Sequence, residues 1–128
     1  MNIKIEIKGI KELVRRYSNA PKIVDRELEI AFNKSLMIIQ REVKLRTPVD
    51  TGRLRSSIGN YNEGWKWITS RVASIGTKVK YAYWVEVINA YHKVGQVGYF
   101  SKGVQASMKS INEFFSQAMK NVADKVSK

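Results

Sequence analysis

The sequence predicts an α+β domain: a small antiparallel β-sheet packed against a long helix in the N-terminal half and a C-terminal amphipathic helix. Three observations predict it. Isoleucines 3, 5 and 7 alternate with polar residues, apolar residues recur at helical spacing from Pro21 to Arg46, and from Val104 onward they recur in alternating steps of four and three. A chain of 128 residues is long enough for one core and too short to expect two, so residues 1–128 read as a single domain. Helices segregated to one face of a sheet are the layered solution for such a pattern.

The alternation of Ile3, Ile5 and Ile7 with Asn2, Lys4, Glu6 and Lys8 has the period of a half-buried strand, and Gly9 ends it. A short helical stretch, "IKELVRRYSN", follows before Pro21. Proline suits the first turn of a helix, where its missing N–H costs nothing, and Asp25, Glu27 and Glu29 favour the positive end of the dipole. Along Pro21 to Arg46, Val24, Leu28, Ala31, Phe32, Ile39 and Val43 share one face. Ile23, Ile30 and Met37 recur every seven residues and make a second. A surface helix of a lone chain needs one stripe; a second implies cover from the rest of the domain or from another subunit. Thr47-Pro48 stops the helix.

"WKWITSRVASIG" and "KVKYAYWVEVI" are rich in β-branched and aromatic residues and read as two strands, with Gly76-Thr77 as the turn between them. Residues 89–102 contain two glycines, Gly95 and Gly98, in the run "GQVG", and read as a loop with no helix directly after it. Val104, Met108, Ile111, Phe115, Ala118, Val122 and Val126 then form the seam of the last helix.

There is no cysteine, which excludes disulfides, thiolate zinc sites and thiol nucleophiles. The single histidine, His92, has no acid near it in sequence, so neither a metal centre nor a catalytic dyad is indicated, and no cofactor is expected. No phosphate-cradling loop or hydrolase motif is present. The chain reads as a non-enzyme. The amino terminus lacks the apolar core of a secretory signal, and Tyr81 to Tyr91 is too short and too polar to span a bilayer, so a soluble protein without a membrane partner is expected.

Twenty-three basic side chains against eleven acidic ones give a formal charge of +12. Between Gly64 and Asn112 seven lysines and arginines face one acid, Glu86. Such a surface attracts polyanions, although a lysine-rich solvated face has the same composition. Glu86, alone in an apolar stretch, reads as a partner for a lysine or arginine.

The densest punctuation is "TPVDTGRLRSSI", residues 47–58. Asp50 reads as a helix N-cap, with Val49 and Leu54 as a hydrophobic staple, while Pro48 stiffens the approach and Gly52 permits close passage. On these grounds the stretch is a joint between the long helix and the sheet. Arg41, Lys44, Arg46, Arg53 and Arg55 crowd around it, and their forks suit carboxylate or phosphate equally.

The residues Thr47, Pro48, Val49, Asp50, Thr51, Gly52, Leu54, Arg55, Ser57 and Ile58, followed by Gly76-Thr77 and the run Tyr81, Ala82 and Glu86, resemble the tail-completion or head–tail joining proteins of long-tailed double-stranded DNA phages and prophages. The likeness extends over residues 20–125. It departs from the family pattern at Val87-Ile88, where Gly-Thr is usual, and at Tyr99-Phe100, where Pro-Phe is usual. The resemblance implies a structural virion protein of the head–tail junction or tail terminus. Such a protein assembles as a homo-oligomeric, hexameric ring around the DNA channel, beside connector and tail-tube proteins, with non-specific contact to passing DNA. On that reading Ile23, Ile30, Met37 and Glu86 serve subunit contact, and Arg53, Arg55, Lys78 and Lys80 face the channel. A free basic nucleic-acid-binding module is the alternative.

Overall fold

In the computed structural model, residues 2–5, 9–47, 52–69, 71–79, 82 and 98–127 are described. The elements run β1 (Asn2–Ile5), α1 (Ile10–Arg16), α2 (Pro21–Arg46), α3 (Arg53–Ser57), β2 (Gly64–Ile68), β3 (Ala73–Thr77) and α4 (Tyr99–Val126). They make an antiparallel sheet in the order β1-β3-β2, with α2 and α4 packed together beside it. The α+β architecture is therefore the one the sequence predicts.

Helix α2 has the predicted limits, with Pro21 in its first turn and Thr47 already extended at its end. Its predicted face, Val24, Leu28, Ala31, Phe32, Ile39 and Val43, is wholly buried, joined by Leu36 and Ser35. Burying a large aliphatic or aromatic side chain contributes about 1.5–3 kcal/mol each, so this face anchors the core. Helix α4 runs antiparallel along it: Val43 meets Gly103, Phe32 stacks edge-on against Phe115 at 4.8 Å, and Glu27 meets Lys125.

The α4 seam differs from the expected one in two respects. The helix begins at Tyr99, directly after Gly98, so the predicted loop ends four residues early. Gly98 holds the N-cap position with φ 75°, a conformation that favours glycine. Met108 is 47% exposed, and the buried positions at that level are Gly103 and Ser107. The cause is distance. A Cβ at Gly103 would lie 2.6 Å from the Val43 Cα, leaving no room for a larger side chain. Ser107 and Ser35 stay satisfied in the core by donating to the carbonyls of Gly103 and Ala31, each at 2.8 Å.

The acids expected to favour the positive end of the α2 dipole, Asp25, Glu27 and Glu29, lie beyond its first turn, which holds no acid. Glu27 is instead buried, 3% exposed, with Lys125 Nζ donating to Oε1 at 2.6 Å and Asn121 Nδ2 to Oε2 at 3.3 Å. The lysine bond, foremost, holds its carboxyl below the ordinary glutamate value against the opposing effect of burial.

The hairpin also lies elsewhere. "WKWITSRVASIG" is not one strand but two, β2 and β3, paired from Gly64↔Thr77 to Ile68↔Ala73. The turn is closed by Thr69, whose amide and hydroxyl both bond the Val72 carbonyl, at 2.8 and 3.2 Å. Gly76 and Thr77 belong to the central strand, where β1 pairs on the other side through Asn2↔Gly76. Beyond it the chain turns: the Ala82 amide bonds back to the Val79 carbonyl at 3.1 Å, so Ala82 is not in the expected second strand. The remainder of that expectation, residues 80, 81 and 83–88, and His92 lie outside the described residues.

Two outcomes follow from the helix pair. Gly103→Ala would gain about 1 kcal/mol of helix propensity at an open site. Here the clash with Val43 reverses the sign, and denaturant titration should show a net loss of about 1–3 kcal/mol. Lys125→Met should cost about 1–2 kcal/mol at neutral pH, discounted because Lys125 is 51% exposed. Because the folded pKa of Glu27 is depressed, its contribution is complete above the unfolded value of about 4.3 and lost as pH falls through the folded one. The difference between variant and parent should therefore shrink in acid, as read from thermal melts across pH.

Candidate functional site

The segment from Thr47 to Ile58 carries α2 into the sheet. Thr47 is buried, and its hydroxyl donates to the Val43 carbonyl at 2.7 Å, closing the last turn of α2. Pro48, Val49, Asp50 and Thr51 lie outside the described residues. Gly52, with φ 78°, occupies the N-cap position of α3, and its carbonyl accepts the first helical bond, from Ser56 at 3.0 Å. This corrects the expected capping by Asp50: Leu54 is then the second residue of the helix rather than the fourth, and a staple from Val49 to an N4 position has no place. Leu54 is buried in the core even so.

Ser57 joins the two halves of the motif. Its Oγ lies 2.6 Å from the Leu54 carbonyl and 2.5 Å from Thr77 Oγ1, both hydroxyls being buried. Thr77 Oγ1 also accepts the Val79 amide at 3.1 Å. The serine of "TGRLRSSI" and the threonine of Gly76-Thr77, twenty residues apart, thus form one polar contact. A Cβ at Gly64 would collide with the carbonyls of Ser57 and Gly76, so the strand passes as close as backbone allows.

The arginines divide. Arg53 holds Glu63 through Nη2 at 2.7 Å and Nε at 2.9 Å, which lowers the pKa of that exposed carboxylate. Arg41 and Arg46 converge on Glu42 at 2.8 and 2.7 Å, and their hydrogen bonds hold its carboxyl below the ordinary glutamate value. Arg55 is exposed and, among the described residues, joins no ion pair. On the other flank of α2, Gln40 Nε2 donates to the Ile58 carbonyl at 2.8 Å and its Oε1 accepts Lys66 Nζ at 3.3 Å. Lys66 shares the inward face of β2 with Ile68, opposite Ile75. Lys44 stands one turn beyond Gln40; burial, then Lys66 and Arg55, push its ammonium below the ordinary lysine value. Lys78 is exposed beside Glu63, whose carbonyl its amide meets at 2.7 Å, and Lys80 is outside the described residues.

Of the second stripe, Ile23 leans on the core, whereas Ile30 is 39% and Met37 66% exposed. Ile30 edges a cleft of about 250 Å³ between α2 and α4, where the Lys34 ammonium lies 5.8 Å from the Phe114 ring centre. Glu86 is outside the described residues. Trp65 donates to Ser74 Oγ at 3.0 Å, and Trp67 on the same face of β2 is exposed. Among the described residues no group of acids and histidine could hold a metal, and no helix is long and apolar enough to cross a membrane.

A family described as "Bacteriophage HK97-gp10, putative tail-component" has a sequence model that matches residues 11–87, more than half of the chain. The chain belongs to the HK97-gp10-like family. It is a phage tail component, a structural protein and not an enzyme, whose partners are other virion proteins. The matched stretch contains α1 from its second residue, α2, α3 and the β2–β3 hairpin, hence both halves of the Ser57–Thr77 contact. Helix α4 lies beyond the match, which is thus shorter at that end than the resemblance read from the motif. Comparison with curated proteins gave no match, and neither did comparison with solved structures.

Sequence reasoning placed Lys44 and Arg55 in one basic crowd but did not bring Lys66 to them. Lys44 and Lys66 are twenty-two positions apart, and only the pairing of β2 with β3 turns Lys66 toward α2. Gln40 carries no signal in the sequence. In this tail component Ser57→Ala should lower stability by about 1–3 kcal/mol, because it leaves the buried Thr77 hydroxyl short of a partner. Urea unfolding with a matched exposed control, Ser56→Ala, would measure it.

Proposed function

We propose that this tail component works at the head–tail junction or the tail terminus of the virion. Six copies close into a ring around the channel through which DNA passes, beside connector and tail-tube proteins. The observation that carries this reading is the outward strip of α2, where Met37 is exposed and Ile30, at the edge of the α2–α4 cleft, is partly so. A repeated apolar stripe on one copy, seated against a different patch on the next, gives a head-to-tail contact that closes when the rotation per subunit divides a full turn. Ile23, Ile30 and Met37 supply that contact, with Glu86 pairing a basic residue across it.

A charge of +12 suits a lumen that must pass a polyanion. The contacts have to be numerous, weak and indifferent to sequence, since tight phosphate binding would arrest the DNA. Arg53, Arg55, Lys78 and Lys80 are assigned to that lumen; Arg53 reaches it while bound to Glu63, which moderates its charge. Nothing in this role asks for a nucleophile, a metal or a cofactor.

Ile30→Asp combined with Met37→Asp should reduce rings to monomers in sedimentation velocity and electron microscopy while circular dichroism stays that of the parent. Unchanged oligomer size in the double variant would remove the stripe as the subunit contact.

A further inference from the structure

We infer that Lys44, Arg55 and Lys66, gathered around Gln40 where α2, α3 and β2 meet, form a site for the phosphates of double-stranded DNA. The inference rests on the ring reading for its place in the virion and on the fold alone for its chemistry.

Three elements converge on Gln40. Lys44 follows it by four positions and so shares its face of α2. Lys66 reaches it from β2 with a 3.3 Å bond, and Gln40 in turn grips the Ile58 carbonyl, directly after α3, which carries Arg55. Gln40 thereby ties Lys66 to the end of α3 without neutralising it, and Lys44 stands near enough to feel the charges of both Lys66 and Arg55.

Among the described residues the cluster has no anion of its own. Among the described residues none of the three basic side chains joins an ion pair, and the described carboxylates closest to them in sequence are engaged, Glu42 by Arg41 and Arg46, Glu63 by Arg53; Asp50 lies outside the described residues. Lys44 is half-buried beside like charges, an arrangement that disfavours its ionised form until a counter-charge arrives. One guanidinium fork with two ammonium groups matches a phosphodiester, which offers repeated, exposed oxygens along a backbone. Carboxylates of a neighbouring copy are the weaker fit. The chain has eleven acids in all, and Glu12, Glu27, Glu42 and Glu63 are already paired within it.

The position agrees with the ring. Lys44 lies seven residues beyond Met37, as Met37 lies seven beyond Ile30, so the cluster sits at the end of the stripe assigned to subunit contact. Each copy would then add one cluster at the same height, a belt of shallow phosphate contacts rather than a single deep one.

The test compares the triple variant Lys44→Gln, Arg55→Gln, Lys66→Gln with a triple of equal charge change on α1 and α4, Lys11→Gln, Lys109→Gln, Lys120→Gln. Binding of a random-sequence duplex is followed by fluorescence anisotropy across a salt series, with sedimentation run in parallel. The slope of log K against log salt should fall in magnitude by about 2–3 for the first triple and stay near the parent for the second. Arg55→Gln alone, at an exposed position that cannot disturb the core, should lower it by about 1. No DNA binding by the parent, equal losses in both triples, or oligomers that dissolve in the first triple while its DNA slope is kept would each overturn the site. A parent that stays monomeric while the first triple alone loses the slope as described would sink the ring and leave the site standing.

Discussion

Between Glu27 and Val43, α2 is fastened to α4 by three contacts of different character: backbone against backbone at Gly103, ring edge against ring face at Phe32 and Phe115, and a buried carboxylate under Lys125. The close approach at Gly103 sets the separation of the two helices. The ion pair, at the opposite end, sets how they are aligned lengthwise, since a half-buried charge tolerates little displacement from its partner. With separation and alignment fixed at the two ends, the aromatic pair between them has one geometry available. The sheet and the short helix α3 then attach to what remains of α2, through Gln40, Ile58 and the buried chain around Ile75.

That division of α2 explains why it can carry function. One side is consumed by α4, one flank by the sheet, and the outward strip is left with Ile30, Met37 and Lys44 in line. Membership of a tail-component family gives such a strip a use, because a virion part is judged by what it adheres to. The same logic gives the Thr47–Ile58 segment its place. It contributes no chemistry, yet it brings Ser57 against Thr77 and Arg55 toward Lys44 and Lys66.

Much of this was readable from residue order. The limits of α2 were written in local chemistry, a proline in the first turn and Thr47-Pro48 at the end, and its buried face followed from period alone. Helix α4 was recognisable but its register was not. Scoring by hydrophobicity selects Met108, whereas helices this close admit only Gly103 and Ser107, and closeness is a property of the pair. The hairpin was misplaced for a related reason. Gly76 looks like a turn because it lacks a side chain, but it lies in the central strand, while the hairpin is closed by Thr69, whose amide and hydroxyl both bond the Val72 carbonyl. The basic cluster was the least legible feature, because Lys44 and Lys66 meet only after β2 has paired with β3.

The cover for the apolar face of α2 comes from α4, which begins more than fifty residues downstream of it. During translation Phe32, Leu36 and Ile39 therefore emerge long before anything can shield them. Until then the half-made chain displays more grease than the finished one, which exposes it to proteases and to premature clumping. A chain cut short before α4 therefore leaves the apolar face of α2 without its cover.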